Sequence, residues 1–243
     1  MTRRGCGMSI VIEQRDATQG PPIDGLLNGA MMMWTDPPYG TGKHQRQQTN
    51  RYHDQIDVRY VLLAISQWAD VLHPDGTIAV CCDYRLSARL VNALNETGWE
   101  YRGEIIWTFG LGRPRTSWWP VRHNTIHTFT RPGRGHFDST AVPTERRLAP
   151  KPGYPDTKPA GSVWDYTMSN THPDRVGYPN QKPVELIEPF VLAHTRPGDL
   201  VIDPFCGSGS TGAAAHKHGR HFYGSDNNPA AIKLAKQRLV VAA

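Results

Sequence analysis

The stretch from Asp199 to Leu239 limits the fold more than any other part of the chain. It reads as a strand, "DLVID" (199–203), a glycine-rich loop, "PFCGSGSTG", and a small-residue helix, "AAAHKHG" (213–219). A second strand, "RHFYGSD" (220–226), and a second helix, "NPAAIKLAKQRL" (228–239), come after it. The last helix has Asn228 as a cap and Pro229 at its first position, and Ile232, Ala235 and Leu239 share one face. Strand, loop, helix, strand, helix is half of a nucleotide-binding α/β unit.

The rest of the chain repeats the alternation. "SIVIE" (9–13), "AMMMW" (30–34), "TIAVCC" (77–82) and "EIIWTF" (104–109) read as strands. Segments 56–72 and 84–98 carry apolar residues at helical spacing, and the second ends at Gly98, a glycine stop. "HPDG" (73–76) reads as a turn. "PVELIEPFVLAHT" (183–195) opens on a proline at a helix start, and Pro189 inside it predicts a kink or a short first segment. Strands alternating with helices predict parallel pairing with crossovers. Between 110 and 180 the periodicity fails apart from "HNTIHTFT" (123–130), which predicts loops packed on the sheet or on a ligand.

Charge is concentrated in that irregular part. Residues 101–160 hold ten Arg or Lys against four Asp or Glu, a local +6 in a chain of net +5, so the remaining chain nets −1. Eight of the twenty prolines and Trp107, Trp118 and Trp119 share the segment. Basic charge interleaved with aromatics suits a polyanion such as nucleic acid; a soluble basic insertion is the plain alternative. The four cysteines form no C-x-x-C, which argues against a zinc site or a disulfide framework and predicts a reducing, cytoplasmic setting. No apolar run has the length of a membrane span, and no apolar segment follows the first arginines, so neither a membrane anchor nor a signal peptide is expected. The histidines show no metal spacing, and no metal is expected: His216 and His218 are two apart, wrong for one helical face.

Two loops carry chemistry. In the first, Asp203 leads "DPFCGSGS" and Gly207 and Gly209 permit close backbone approach to a ligand. Asp226 ends the next strand, where an acid suits ribose hydroxyls. An acid at the head of the loop favours a ligand with a cationic centre over a pyrophosphate, and S-adenosylmethionine has a sulfonium, a ribose and an adenine. A structural Gly-Ser turn is the alternative. The second is "WTDPPYG" (34–40), directly after an apolar strand. It is either a strand ended by a rigid turn or a fixed acceptor beside a stacking surface.

These motifs together resemble the amino-group DNA methyltransferases, in the permuted class whose catalytic motif precedes the cofactor motif. "TDPPYG" is similar to the catalytic motif and "DPFCGSGST" to the cofactor motif. "YPNQKPVELIE" is similar to the segment upstream of it, with Tyr178 where the family usually has His. "LHPDGTIAV" and "GEIIW" match the strands between. The resemblance covers about 9–109 and 178–240 and implies a Rossmann-like α/β methyltransferase fold: a mostly parallel central sheet, helices on both faces and a loop-rich target-recognition insertion. The expected division is 9–109 as the catalytic half, 110–180 as the insertion and 181–241 as the cofactor-binding half.

The resemblance also implies roles. Asp36, Pro37, Pro38 and Tyr39 would handle the base: Asp36 and the Pro37 carbonyl accept the two amine hydrogens, and Tyr39 stacks. The implied cofactor set is Asp16, Ala17, Lys182, Asp203, Pro204, Phe205, Gly207, Ser208, Gly209, Asp226 and Asn227. For Asp16 a helix cap is the alternative, and for Lys182 a surface lysine. A base inside a duplex must be flipped out, at a cost of a few kcal/mol that phosphate contacts offset. Lys43, Arg46, Arg113, Arg115, Trp118 and Arg122 are the expected DNA contacts, with Arg51, Arg131, Arg134 and Trp119 as further candidates. The expected reaction is methyl transfer from S-adenosylmethionine to adenine N6 in duplex DNA. Cytosine N4 is the first alternative, and an RNA methyltransferase, a nicotinamide-dependent oxidoreductase and a catalytically dead DNA binder come after it. A homodimer and a cognate restriction enzyme are the further partners that the resemblance allows.

Overall fold

The computed structural model describes residues 9–22, 29–38, 58–110, 119–145, 156–169 and 171–240. Ten strands and five helices alternate along them: β1 (Ile10–Gln14), β2 (Ala30–Thr35), α1 (Val58–Ala69), β3 (Leu72–Cys82), α2 (Tyr84–Glu96) and β4 (Glu100–Thr108). Then come β5 (His123–Thr130), β6 (Pro143–Glu145), β7 (Thr157–Pro159) and β8 (Val163–Asp165). The chain closes with α3 (Val184–His194), β9 (Leu200–Asp203), α4 (Ser210–Lys217), β10 (His221–Asp226) and α5 (Pro229–Val240). A 3-10 turn at Ala17–Gln19 lies just beyond the end of β1.

Eight strands form one sheet in the order β1-β10-β9-β2-β3-β5-β4-β8, and β6 pairs with β7 apart from it. All neighbours in the large sheet are parallel except β5, which runs against both β3 and β4. The expected parallel α/β sheet is therefore present with one reversed strand. That strand is "HNTIHTFT", the one stretch between 110 and 180 that keeps its periodicity, and it lies inside the sheet.

Side chains alternate across the sheet and bury both faces. Met32, Trp34, Ala79, Trp107 and Ile126 point to a core closed by Leu186, Ile187 and Phe190 of α3, Ala214 of α4, and Ile232, Ala235 and Leu239 of α5. Met33, Ile78, Val80, Phe129 and Ile202 point the other way, against Val61, Ile65 and Trp68 of α1 and Leu86, Leu90 and Leu94 of α2. β2 is buried along its whole length, as expected for a central strand covered on both sides.

Four local expectations need correction. "HPDG" is not a turn between elements but an irregularity inside β3: Ala30 pairs with Leu72 and Met32 with Thr77, so extra residues are accommodated there. β4 begins at Glu100 and α4 at Ser210, each earlier than the periodicity indicates. α3 runs through Pro189 as one helix, so no separate short segment precedes the proline. As the glycine stop requires, Gly98 comes after α2 with φ +88°.

Candidate active site

The parallel strands all finish on one edge of the sheet, and β5, being reversed, starts there at His123. Asp16, Asp36 and Asp83 lie just past the ends of β1, β2 and β3, and Asp226, Asp203 and Asp165 are the last residues of β10, β9 and β8. Ligands of open α/β sheets bind at this carboxyl edge.

The glycine loop is built around two of these acids. Asp203 is buried; Thr211 Oγ1 donates to its carboxylate at 2.5 Å and the Phe205 N–H at 3.0 Å. Burial dominates: despite those two donors, and with Asp36 and Asp226 adding negative charge, it pushes the Asp203 carboxyl up to about 8. Asp226 accepts the Gly207 N–H at 3.0 Å and the Asn228 N–H at 2.8 Å, which ties the loop to the end of β10. Gly207 and Gly209 have φ of +50° and +81°, in the left-handed region that favours glycine. Gly207, Gly209 and Gly212 fall at G-x-G-x-x-G spacing, so the loop's spacing does not exclude a dinucleotide. What distinguishes it is the buried acid at its head. The third glycine serves packing: a Cβ at Gly212 would lie 2.6 Å from Leu239 Cδ1.

The loop is backed from outside. Arg238 of α5 donates to the Ser208 carbonyl at 3.4 Å and to Ser210 Oγ at 3.1 Å, and pairs with Asp174. The Pro204 carbonyl accepts from Ser225 Oγ at 3.3 Å.

Next to this loop, Asp36 forms an ion pair with Lys182. The lysine is buried, its Nζ also lies 3.4 Å from the Asn180 carbonyl, and it sits over the Trp107 ring at 5.9 Å. Burial disfavours the ammonium most, but Asp36, together with Cys81 and Asp203, outweighs it and holds Lys182 above the ordinary lysine value. Lys182 is thus neither a surface lysine nor set apart from the catalytic motif. Pro37 is buried and Pro38 half-buried behind Asp36.

At the far side of the loop, Asp16 caps the 3-10 turn, accepting the Thr18 N–H at 2.9 Å and the Thr18 hydroxyl at 2.7 Å. It also accepts the Tyr60 hydroxyl at 3.1 Å. Burial would raise this carboxyl, but the three donors outweigh it and hold it below the usual range. The cap is real, and it places Asp16 beside Tyr60, whose ring tilts against Phe205 at 6.2 Å. Asp226 reaches Tyr60 as well, since after burial and Asp16 its charge helps raise that phenol. Ala17 is buried with its carbonyl on Trp68 Nε1 at 2.8 Å, and Asn227 is exposed with its carbonyl 3.3 Å from Gln14 Nε2. Tyr178 faces Gly207: a Cβ there would lie 3.3 Å from its ring. Burial first, then the Asp226 charge, pushes the Tyr178 phenol up to about 12.

Tyr60, Thr211 and Arg238 are site residues that sequence reasoning passed over. Tyr60 looks like any residue of an amphipathic helix and nothing local marks Arg238, whereas Thr211 closes the "DPFCGSGST" motif and could have been read from it.

The expected DNA contacts divide. Tyr39, Lys43, Arg46, Arg51, Arg113, Arg115 and Trp118 lie outside the described residues. Arg122 is at the carboxyl edge, donating to the Gly110 carbonyl at 2.7 Å, and Trp119 nearby is 80% exposed. Arg122, Phe109, His123 and Asp165 line a cavity of about 360 Å³ at that edge. Arg131 and Arg134 come after the other end of β5, across the sheet from Asp36. There Arg131 covers the Trp99 ring at 4.9 Å and Arg134 pairs with Asp75 at 3.0 Å. These partners hold the two arginines at the edge of the sheet opposite Asp36, apart from Arg122.

This edge brings an acid-headed glycine loop and a second acid-proline turn side by side, where open α/β sheets bind their ligands. The profile of the DNA methylase family, which joins the N6 and N4 enzymes, matches residues 30–237, and the chain belongs to that family. It is 33% identical over 153 residues to the type II methyltransferase M.Cfr9I of Citrobacter freundii, covering 62% of this chain and 48% of that protein. To the DNA adenine methyltransferase YhdJ of Escherichia coli K12 it is 26% identical over 226 residues, covering 87% and 76%. The chain therefore spans about half of the first relative and about three quarters of the second. In fold it is similar to the M1.HpyAVI–SAM complex, with TM-score 0.64, 23% identity and coverage of 95% and 100%. It is similar likewise to the cytosine-N4-specific PvuII DNA methyltransferase, with TM-score 0.70, 18% identity and coverage of 96% and 89%. Among the described residues no helix is long and apolar enough to cross a membrane.

Proposed function

We propose that this chain transfers a methyl group from S-adenosylmethionine to the exocyclic N6 of a flipped-out adenine in duplex DNA. The observation that carries the reading is the placement of Asp36-Pro37-Pro38 beside the Asp203–Ser210 loop on one sheet edge, within a chain of the DNA methylase family.

The residues fit the cofactor. Gly207 and Gly209 hold the loop in left-handed backbone packed closely on Tyr178 and Ala235, Asp226 supplies negative charge for a cationic, ribose-bearing ligand, and Asp203 supplies it once a cation favours its ionised form. Asp226 would take the ribose hydroxyls, Asp203 the methionyl end, and Phe205 with Tyr60 the flat adenine. The cofactor supplies an electrophilic methyl group on a cationic sulfur.

The chain's own contribution is to make a poor nucleophile competent. The lone pair of a nucleobase amine is delocalised into its ring. Asp36 accepts one N–H and the Pro37 carbonyl the other, drawing the nitrogen towards tetrahedral geometry. Two prolines in succession fix these acceptors beforehand, so little reorganisation is needed. Tyr39 stacks on the base. Residues 110–180 would read the target, with Lys43, Arg46, Arg113, Arg115, Trp118 and Arg122 on the DNA. A homodimer and a companion restriction enzyme belong to the same proposal.

Adenine is preferred because family members with Asp at the head of the tetrapeptide are more often adenine enzymes. The second reading is cytosine N4, which needs the same two acceptors. Nucleoside mass spectrometry of DNA from a methylation-free host expressing the chain decides. N6-methyladenine is the expected product, N4-methylcytosine alone would replace adenine by cytosine, and no methylated base would refute the activity.

A further inference from the structure

We infer that Lys182 is a positioning residue for methyl transfer: its ammonium stands in for the target amine on Asp36 and holds that carboxylate in place until the base arrives. The inference rests on the proposed role of Asp36 as acceptor for the base.

The backbone on both sides of Asp36 is constrained. Thr35 is fully buried in the central strand, and Pro37 and Pro38 come next. The freedom that remains is rotation of the Asp36 side chain, and this is what the ion pair with Lys182 removes. Lys182 is itself anchored. Its carbonyl accepts Ser210 Oγ at 2.7 Å, at the first residue of α4 after the glycine loop, and Pro183 is its neighbour in the chain. One residue therefore links the cofactor loop to the catalytic turn.

The chemistry matches a stand-in. An ammonium presents N–H donors to the carboxylate, as an exocyclic amine does. A carboxylate has two oxygens with about four acceptor sites, so Asp36 can keep the ammonium and accept a base N–H as well. A protonated lysine has no lone pair, so Lys182 neither competes for the methyl group nor acts as a base, and the Asp36 charge keeps it in that form. Its effect falls on the geometry of Asp36 rather than on cofactor affinity.

The test measures single-turnover transfer from tritiated S-adenosylmethionine to unmethylated plasmid DNA, with cofactor affinity measured separately by calorimetry. Lys182→Met should slow transfer about 10–100-fold, the scale of a misplaced reacting group, while cofactor affinity changes less than about threefold. In Lys182→Ala, added propylammonium should restore part of the rate, and tetramethylammonium, lacking an N–H, none. Should Lys182→Met not fold, Lys182→Arg is expected to show the same split at smaller amplitude. An unchanged rate, a loss explained wholly by weaker cofactor binding, or a lack of amine-specific rescue would each overturn the inference while leaving the methyltransferase reading intact. A wild-type chain that methylates no DNA would instead remove that reading and this inference with it.

Discussion

Thr211 reaches back across the glycine loop to donate its hydroxyl to Asp203, eight residues earlier, at 2.5 Å. The contact joins the first turn of α4 to the end of β9; it favours the ionised acid, but burial outweighs it and pushes the carboxyl up to about 8. Between about pH 4 and about 8, the folded chain then binds a proton at Asp203 that the unfolded chain does not. This group's contribution to stability is therefore present at low pH and declines as pH rises through that window. Thermal unfolding monitored from pH 5 to 9 should show this decline in the wild type and a flatter profile in Asp203→Asn. Bound S-adenosylmethionine should favour the ionised acid, so its affinity should rise towards pH 8 more steeply in the wild type than in Asp203→Asn. Calorimetry across that range checks it, with the variant subtracting titration of the cofactor's own amine.

Asp36→Asn should lower methyl transfer about 100-fold or more, the loss expected when a preorganised polar group at the reacting centre is removed. Cofactor affinity should stay near the wild-type value. Wild-type turnover would place the catalytic acceptor elsewhere.

Asp226→Ala removes the acceptor for the Gly207 and Asn228 N–H groups as well as the acid proposed for the ribose. Cofactor binding should weaken by about 1–3 kcal/mol. Equilibrium dialysis with labelled cofactor is the measurement, and equal affinity would mean the ribose lies elsewhere.

Gly212→Ala tests packing apart from chemistry. The added methyl would meet Leu239 Cδ1 at 2.6 Å and Phe222 Cδ1 at 2.7 Å, both in the core. Destabilisation of about 1–3 kcal/mol is expected from overpacking, read by denaturant unfolding.

DNA affinity should fall steeply with salt. Neutralising Arg113, Arg115 and Arg122 together should flatten that dependence, whereas neutralising Arg131 and Arg134 should leave it near the wild-type slope. Fluorescence anisotropy over a salt series separates the two sets. The reverse result would move the DNA to the opposite edge.

Much of the fold is readable from the sequence because its determinants are local. A continuous apolar run marks β2, the glycine after α2 marks a stop, and Asn228 caps α5 through the Ala230 N–H at 3.0 Å. The direction of β5 is not readable, since a period-two pattern is the same in either sense. "HPDG" has the composition of a turn, and only its paired neighbours reveal that the strand continues past it. The site is legible in its two loops and illegible in their connection: Lys182 and Asp36 are 146 residues apart, and no local pattern relates them. Total charge likewise says nothing about which edge each arginine occupies.

The reversed strand has a consequence for how such a chain can diversify. β4 arrives at the reacting edge at Thr108, β5 leaves it from His123, and the two are in register as a hairpin. The connection between them starts and ends at the edge that holds Asp36 and Asp203. Its length and wording can change without shifting a single rung of the ladder, because both ends are clamped by the same strand pair. On the proposed reading of the target by this part of the chain, recognition is a replaceable clause in an otherwise fixed sentence, and exchanging residues 109–122 between relatives is the route to a new target.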